Sequence, residues 1–218
     1  PAGRVDPAQA ARALTDAVRT LGLEALPWRE SQLQWRLRVR GLSAWVPGLG
    51  LPAMDDATLL ATLDDWLMPA FAGKTRLDAL DEDALGNALK SGCDWALRQR
   101  IDALAPTRIV VPSGMERAIT YGWDDANDAP AAPVLAVKLQ ELFGLADTPR
   151  IADGRVPLTL HLLSPAGRPL QVTQDLRSFW ERTYPEVKKE MKGRYPKHPW
   201  PDDPWSATAT HRAKPRGT

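Results

Sequence analysis

Cationic and aromatic side chains alternate near the C-terminal end of the chain. In the stretch KKEMKGRYPKHPW, residues 188–200, the cations could neutralise phosphates while aromatic rings stack on bases. The phosphate-binding candidates are Lys188, Lys189, Lys192, Arg194 and Lys197, and the stacking candidates are Tyr195 and Trp200. This pattern is typical of a surface that binds single-stranded nucleic acid.

A structural interpretation of the same stretch stays open. Cations in the last turns of a helix interact favourably with its dipole and can pair with Glu186 and Glu190. The segment KHPWPDDP, residues 197–204, could be an extended strap that pins its tryptophan to the protein. A second basic cluster, which could extend a nucleic-acid track, consists of Arg36, Arg38 and Arg40.

Catalytic and metal-binding chemistry has weaker support. Cys93 and His161 could form a nucleophile and its base, but the sequence offers no third group to orient them. A metal site built from His198, Asp202, Asp203 and His211 would have no fixed geometry, because prolines separate its members. We therefore expect no catalytic residue and no bound metal in this chain.

Several enzyme classes lack their sequence signatures here. The chain contains no GxxxxGK[ST], GxGxxG, GxSxG or HExxH motif and no pair of CxxC motifs. This argues against a phosphate loop, a dinucleotide-binding fold, a zincin and a zinc ribbon within these residues.

Composition indicates a globular protein. The 218 residues are 44% hydrophobic and 25% charged, and no apolar run is long enough to cross a bilayer. No secretory signal is visible and the single cysteine cannot form an internal disulfide, so we expect a cytoplasmic protein with no membrane partner. The first residue is Pro1 rather than Met, which favours a processed chain or a fragment of a longer protein.

Positive charge is concentrated at the C-terminal end. The net charge is only +1, yet residues 176–218 carry ten basic and five acidic side chains. Such an excess can mark a phosphate-binding surface, although a solvated tail has the same composition.

The first half of the chain has helical periodicity. Asp6 followed by Pro7 predicts the start of a helix that ends at Gly22, and the spacing also predicts helices at about 82–90 and 94–104. Residues 28–40 fit either a helix or a strand, and we favour the helix. A broad apolar face predicts one further helix, which begins after Asp55 and ends at Gly73.

The second half mixes strands and helices. Alternating apolar residues predict a hairpin from residues 108–111 and 117–121, and a second from 156–163 and 170–172. Residues 133–143 predict an intervening helix, and two short helices are expected to begin at Asp175 and Thr183, the second ending at Gly193. The predicted fold class is α+β, with a helical unit (1–104), a hairpin/helix/hairpin/helix unit (105–200) and a basic tail (201–218).

Three stretches of the sequence are distinctive: VLAVKLQELFGLADTPRI, GRVPLTLHLLSPAGRPLQVTQDL and SFWERTYPEVKKEMKGRYPKHPWPDDP. They resemble the C-terminal region of bacterial HrpB-type ATP-dependent helicases of the DEAH-box class. The resemblance extends back through APTRIVVPSG and, more loosely, through LPWRESQLQWRLRVRGL and LLATLDDWLMPAFAG. In that family the region follows two motor domains, which carry the phosphate loop and the DEAH box and therefore bind ATP and Mg²⁺.

The resemblance implies an accessory module without the ATPase motor and without a cofactor of its own. Its implied partners are the motor domains of the same polypeptide and RNA, and it assigns no catalytic residue to any position here. The alternative is a structural or protein-interaction scaffold with no nucleic-acid contact. A small hydrolase is a third possibility, which would need a convergent polar cleft.

Overall fold

The structure, a computed structural model, describes residues 3–212, which form two compact units. The first unit comprises the chain up to Ala103 together with Trp123–Pro130, and the second comprises Leu104–Gly122 and the chain from Ala131 onward. This division differs from the one drawn on the sequence, because residues 123–130 join the first unit and 201–212 join the second. Helices and strands together give the predicted α+β class.

The first unit is mainly helical. Its first helix begins as predicted, since Asp6 accepts a hydrogen bond of 3.2 Å from the Ala8 amide and Pro7 is the first helical residue. It ends at Gly22, where φ is +94°. Residues 28–40, whose spacing fitted either a helix or a strand, are mostly helical. The helices are α1 (Pro7–Leu21), α2 (Glu30–Trp45), α3 (Asp56–Ala61), α4 (Leu63–Trp66), α5 (Glu82–Lys90) and α6 (Trp95–Leu104).

The single helix predicted between Asp55 and Gly73 is interrupted. α3 ends before Thr62, and α4 is followed by a 3₁₀ turn at Met68–Phe71, where Pro69 has no amide hydrogen to continue an α-helix. The Thr62 hydroxyl donates to the carbonyl of Thr58 at 2.7 Å, a bond that often bends helices. The predicted apolar face is nevertheless buried, through Leu59, Leu63, Leu67 and Phe71.

The strands lie in one five-stranded sheet and two small hairpins. The strands are β1 (Arg108–Val110), β2 (Glu116–Thr120), β3 (Trp123–Asp124), β4 (Ala129–Pro130), β5 (Val134–Lys138), β6 (Arg150–Ile151), β7 (Val156–Pro157), β8 (Thr159–Leu163) and β9 (Pro169–Thr173). In the five-stranded sheet, strand β5 pairs in parallel with β8, and the other neighbouring strands are antiparallel, in the order β1-β2-β5-β8-β9. Both predicted hairpins, β1–β2 and β8–β9, are present.

The helix predicted for residues 133–143 is wrong. Val134–Lys138 is a central strand in which Leu135 and Val137 are buried while Ala136 is exposed, and a 3₁₀ turn at Leu139–Leu142 follows it. A short apolar run fits the periodicity of a helix as well as that of a strand. Here the segment is a strand because it pairs with β2 on one side and with β8 on the other.

The two short helices predicted after β9 are one continuous helical segment. Asp175 caps its start by accepting the Ser178 amide at 3.0 Å, as predicted. The chain then continues through α7 (Leu176–Ser178), a π-helical segment at Phe179–Thr183 and α8 (Tyr184–Arg194). Thr183 occupies the N-cap position of α8, as predicted, but its side chain makes no capping bond. The helix ends at Arg194, one residue beyond the predicted stop at Gly193.

Candidate nucleic-acid interface

Helix α8 and the loop after it carry the cations that the sequence nominates. Four of these cations are exposed: Lys189, Lys192, Arg194 and Lys197. We call these four residues the basic strip. Lys192 and Arg194 lie in the last turn of the helix, where positive charge is favoured by the dipole. This position favours both cations independently of any carboxylate partner.

Lys188 is held apart from the strip by an ion pair. Its amine contacts the carboxylate of Asp202, and its side chain is only 16% exposed. The pair joins α8 to the segment that follows it within the second unit. Lys188 therefore serves the fold, and it would have to leave Asp202 to reach a phosphate.

Two members of the strip are paired weakly. The Lys189 amine lies 3.3 Å from Glu186, and the Arg194 guanidinium lies 3.5 Å from Glu190. All four side chains are more than half exposed, and exposed pairs of this kind contribute little to stability. Both cations can therefore leave their carboxylate partners and bind an external anion at a small cost in free energy.

Lys192 and Lys197 have no ion pair with any residue in the range 3–212. Both are exposed, and they lie on either side of Tyr195 in the sequence. A phosphate can therefore bind these two lysines without displacing a carboxylate.

The Tyr195 ring is half-buried beside the strip. Its hydroxyl lies 3.4 Å from the hydroxyl of Ser164, and the His198 ring is edge-on to it at 6.2 Å. The backbone amide donates to the carbonyl of Met191 at 2.7 Å, which fixes the residue at the end of α8. The residue as a whole is neither fully buried nor fully exposed.

Trp200 is not available for stacking, contrary to the prediction. It is 7% exposed, its indole N–H donates to the carbonyl of Tyr195 at 3.0 Å, and its ring packs edge-on against Phe143 at 6.4 Å. A large ring with one polar atom gains more from burial with a hydrogen-bonded N–H than from exposure. The strap interpretation of this tryptophan is the one that the structure supports.

His198 adds no charge to the strip at neutral pH. Burial, together with the positive charge of Lys138, lowers the pKa of its imidazole below the ordinary value of 6.5. Its Nδ1 is buried without a hydrogen-bond partner among the described residues. The ring is therefore neutral at pH 7.

The second basic cluster is structural. Arg36 donates to the Met54 carbonyl at 2.7 Å and also contacts Asp56. The other two arginines of the cluster have separate partners: Arg38 is buried and pairs with Asp102 at 2.6 Å, and the Arg40 guanidinium lies 3.7 Å from the ring centre of Trp123. These contacts hold elements of the first unit together, so the cluster does not form a free basic track.

The catalytic and metal-binding residues considered on the sequence lie in surroundings that do not favour those roles. Cys93 is 2% exposed in the first unit, and burial raises the pKa of its thiol, which opposes formation of a reactive thiolate. His161 lies in β8 of the second unit. Among residues 3–212 no group of three or more His, Cys, Asp or Glu side chains is placed to hold a metal, and this includes His198, Asp202, Asp203 and His211.

Trp205 is an exposed aromatic residue that the sequence analysis did not identify. Trp205 is 42% exposed on a 3₁₀ turn, Pro204–Ser206, and it lines a small pocket together with Trp180 and Arg177. The signal was a second tryptophan five residues after Trp200, but spacing alone does not tell which of the two is buried.

No helix within the described residues is long and apolar enough to cross a membrane.

Comparisons with known proteins show which family this chain resembles. Residues 66–204 match the protein family described as ATP-dependent helicase C-terminal. The chain is 46% identical over 203 residues to the ATP-dependent RNA helicase HrpB of Escherichia coli K12, an alignment that covers 93% of this chain and 24% of that protein.

Two solved structures are also similar. The crystal structure of the E. coli DExH-box NTPase HrpB matches 98% of this chain and 26% of its own, with a TM-score of 0.89 and 44% identity. The crystal structure of the E. coli DEAH/RHA helicase HrpB matches 92% of this chain and 24% of its own, with a TM-score of 0.77 and 42% identity. The chain thus spans about a quarter of the length of these relatives.

Proposed function

The chain belongs to the ATP-dependent helicase C-terminal family, and we propose that it is an accessory module that contacts RNA through the basic strip while the motor of the same polypeptide hydrolyses ATP. The relative it resembles in sequence is described as an ATP-dependent RNA helicase. The present sequence contains no phosphate loop, so ATP and Mg²⁺ would be bound by motor segments outside it. The proposal includes a cytoplasmic location.

The observation that carries the proposal is the exposure of unpaired cations beside a half-buried aromatic ring. Lys192 and Lys197 are exposed with no ion pair to any described residue, and Tyr195 lies between them in the chain. Cations that are free of carboxylates bind phosphates without first losing a partner. A ring held partly in the core offers its exposed part to a base with little loss of conformational freedom.

The contact would be weak and independent of sequence. Phosphate neutralisation by flexible cations carries no base information, and the site provides one partly exposed ring rather than a series of stacking platforms. Such a contact suits a module that holds RNA near a motor without choosing its sequence. It leaves selection of the RNA to other parts of the polypeptide.

The test is a charge reversal of the strip with a matched control. In the first variant, glutamate replaces Lys189, Lys192, Arg194 and Lys197; in the control variant, glutamate replaces four other exposed arginines, Arg4, Arg12, Arg100 and Arg168. Both variants change the net charge equally. We expect the first to abolish binding of single-stranded RNA at low salt and the control to weaken it far less, because only non-specific attraction changes there.

Retention of RNA binding by the strip variant would contradict the proposal. Circular dichroism must show that both variants are folded, so that loss of binding reports the surface rather than the fold. Equal loss in the two variants would also contradict it, since the effect would then follow net charge alone.

A protein-interaction scaffold is the second candidate. Trp95, at the first position of α6, is 76% exposed, which is unusual for so large an apolar side chain. If the strip variant binds RNA as well as the parent while Trp95→Ala weakens association with the motor segments, the scaffold interpretation replaces the RNA-binding one.

A further inference from the structure

A small pocket in the second unit has tryptophan walls and an unpaired carboxylate. Its lining residues are Ala146, Arg177, Trp180, Glu181 and Trp205, and its volume is about 120 Å³. None of them belongs to the basic strip. The pocket therefore requires an explanation separate from RNA binding.

Trp180 is fixed in place, and the backbone next to Trp205 is anchored. The indole N–H of Trp180 donates to the carbonyl of Leu145 at 2.8 Å, and this residue is 2% exposed. Trp205 follows Pro204, whose carbonyl accepts the Gly144 amide at 2.7 Å. A wall that is already fixed, as Trp180 is, contacts a ligand at little entropic cost.

The lining of the pocket carries two charged residues of opposite sign, Arg177 and Glu181. Arg177 is held by both carboxylate oxygens of Asp147, at 2.8 and 3.0 Å. Glu181 is exposed and has no ion pair with a residue in the described range. Glu181 is therefore the lining charge that is left without an ion-pair partner.

The size of the pocket limits what can enter. A cavity of roughly 150 Å³ holds a benzene-sized group, whereas pockets for whole small-molecule ligands measure roughly 300–1,000 Å³. At about 120 Å³ the pocket accepts the end of one side chain. The carboxylate of Glu181, which has no ion pair, repels phosphate, so a nucleotide is disfavoured by charge as well as by size.

We propose that this pocket binds an arginine side chain from a partner protein. The flat guanidinium would stack on the exposed face of Trp205 and donate to the carboxylate of Glu181. Tryptophan is the aromatic residue that attracts cations most strongly, and a guanidinium combines stacking with carboxylate pairing in a way that an ammonium does not. Arg177 is paired with Asp147 and makes no ion pair with Glu181, although the two charges attract each other.

The test uses blocked amino acids as probes. N-acetyl-arginine methylamide is titrated into the chain while the indole N–H resonances of Trp205 and Trp180 are followed by NMR. N-acetyl-citrulline methylamide, which has nearly the same shape but no charge, is the matched control ligand. We expect the arginine probe to shift both resonances with millimolar affinity and the citrulline probe to bind at least tenfold more weakly.

Two variants test whether Glu181 and Trp205 bind the arginine probe. Glu181→Gln should reduce arginine binding to about the citrulline level, and Trp205→Ala should abolish the shift at Trp180. Glu186→Gln is the control, because Glu186 is an equally exposed glutamate that does not line the pocket. Circular dichroism checks that each variant is folded.

Three results would overturn the proposal. These are equal binding of arginine and citrulline, an unchanged arginine affinity in Glu181→Gln, and displacement of the probe by cytidine monophosphate. The charge-reversed strip variant should bind arginine normally, so failure of the RNA-binding proposal would leave this one standing.

Discussion

Removing the two carboxylates that pair with the basic strip should strengthen RNA binding. In the variant Glu186→Gln/Glu190→Gln, Lys189 and Arg194 no longer need to leave a partner before they meet phosphate. Exposed pairs three or four residues apart on a helix contribute about 0.2–0.5 kcal/mol each. Loss of both corresponds to about 0.4–1 kcal/mol, which predicts about twofold to fivefold tighter binding at low salt.

Salt dependence measures how many cations take part. For single strands the log–log slope is about −0.7 per neutralised phosphate, so two free lysines give about −1.4 and the complete strip gives about −2.8. Raising the salt from about 50 to about 200 mM would then weaken binding about sevenfold in the first case and about 50-fold in the second. We expect the parent chain to lie between these limits and the double variant to approach the steeper one.

The assay is fluorescence anisotropy with a labelled single-stranded RNA at both salt concentrations. Glu24→Gln/Glu116→Gln is the control, because it removes two exposed carboxylates elsewhere and changes the net charge equally. The reasoning is refuted if the double variant and the control bind equally well, or if the slope of the parent is close to zero.

Two further predictions concern the strap and its histidine. Trp200→Ala should destabilise the fold by about 3–5 kcal/mol, measured by urea denaturation, because it removes a buried ring and its hydrogen bond to Tyr195; a stable variant would show that the strap is not needed. The lowered pKa of His198 means that the unfolded chain binds this proton more readily, so stability should fall as the pH drops below 6.5 towards the folded pKa. His198→Gln should reduce that dependence, and identical pH profiles for variant and parent would exclude this role.

Local signals were sufficient for three helices of the first unit, α1, α5 and α6. Asp6 and Pro7 define the start of α1 through groups one or two residues away, and Gly22 ends it by its positive φ. The apolar face between Leu59 and Phe71 was also predicted correctly, although Pro69 and Thr62 break the helix that carries it. Capping and periodicity depend on neighbours within about one turn, which the sequence contains in full.

Partners distant in the chain decided the remaining elements. The strand Val134–Lys138 has apolar spacing that also fits a helix, and only its parallel pairing with Thr159–Leu163 distinguishes the two. The hairpin at residues 123–130 interrupts the second unit in sequence but belongs to the first in space. No local pattern encodes such long-range pairing, since it depends on which other segments compete for the same edge.

Some features of the candidate site are determined by the sequence alone, and others by the tertiary structure. The sequence by itself determined that positive charge is concentrated after residue 176 and that no phosphate loop is present, because these are properties of composition and of contiguous motifs. Only the tertiary structure decided that Trp200 is buried while Trp205 is exposed, and that Lys188 is paired while Lys192 is free. Exposure and pairing depend on what packs against a side chain, and residues far away in the sequence supply those atoms.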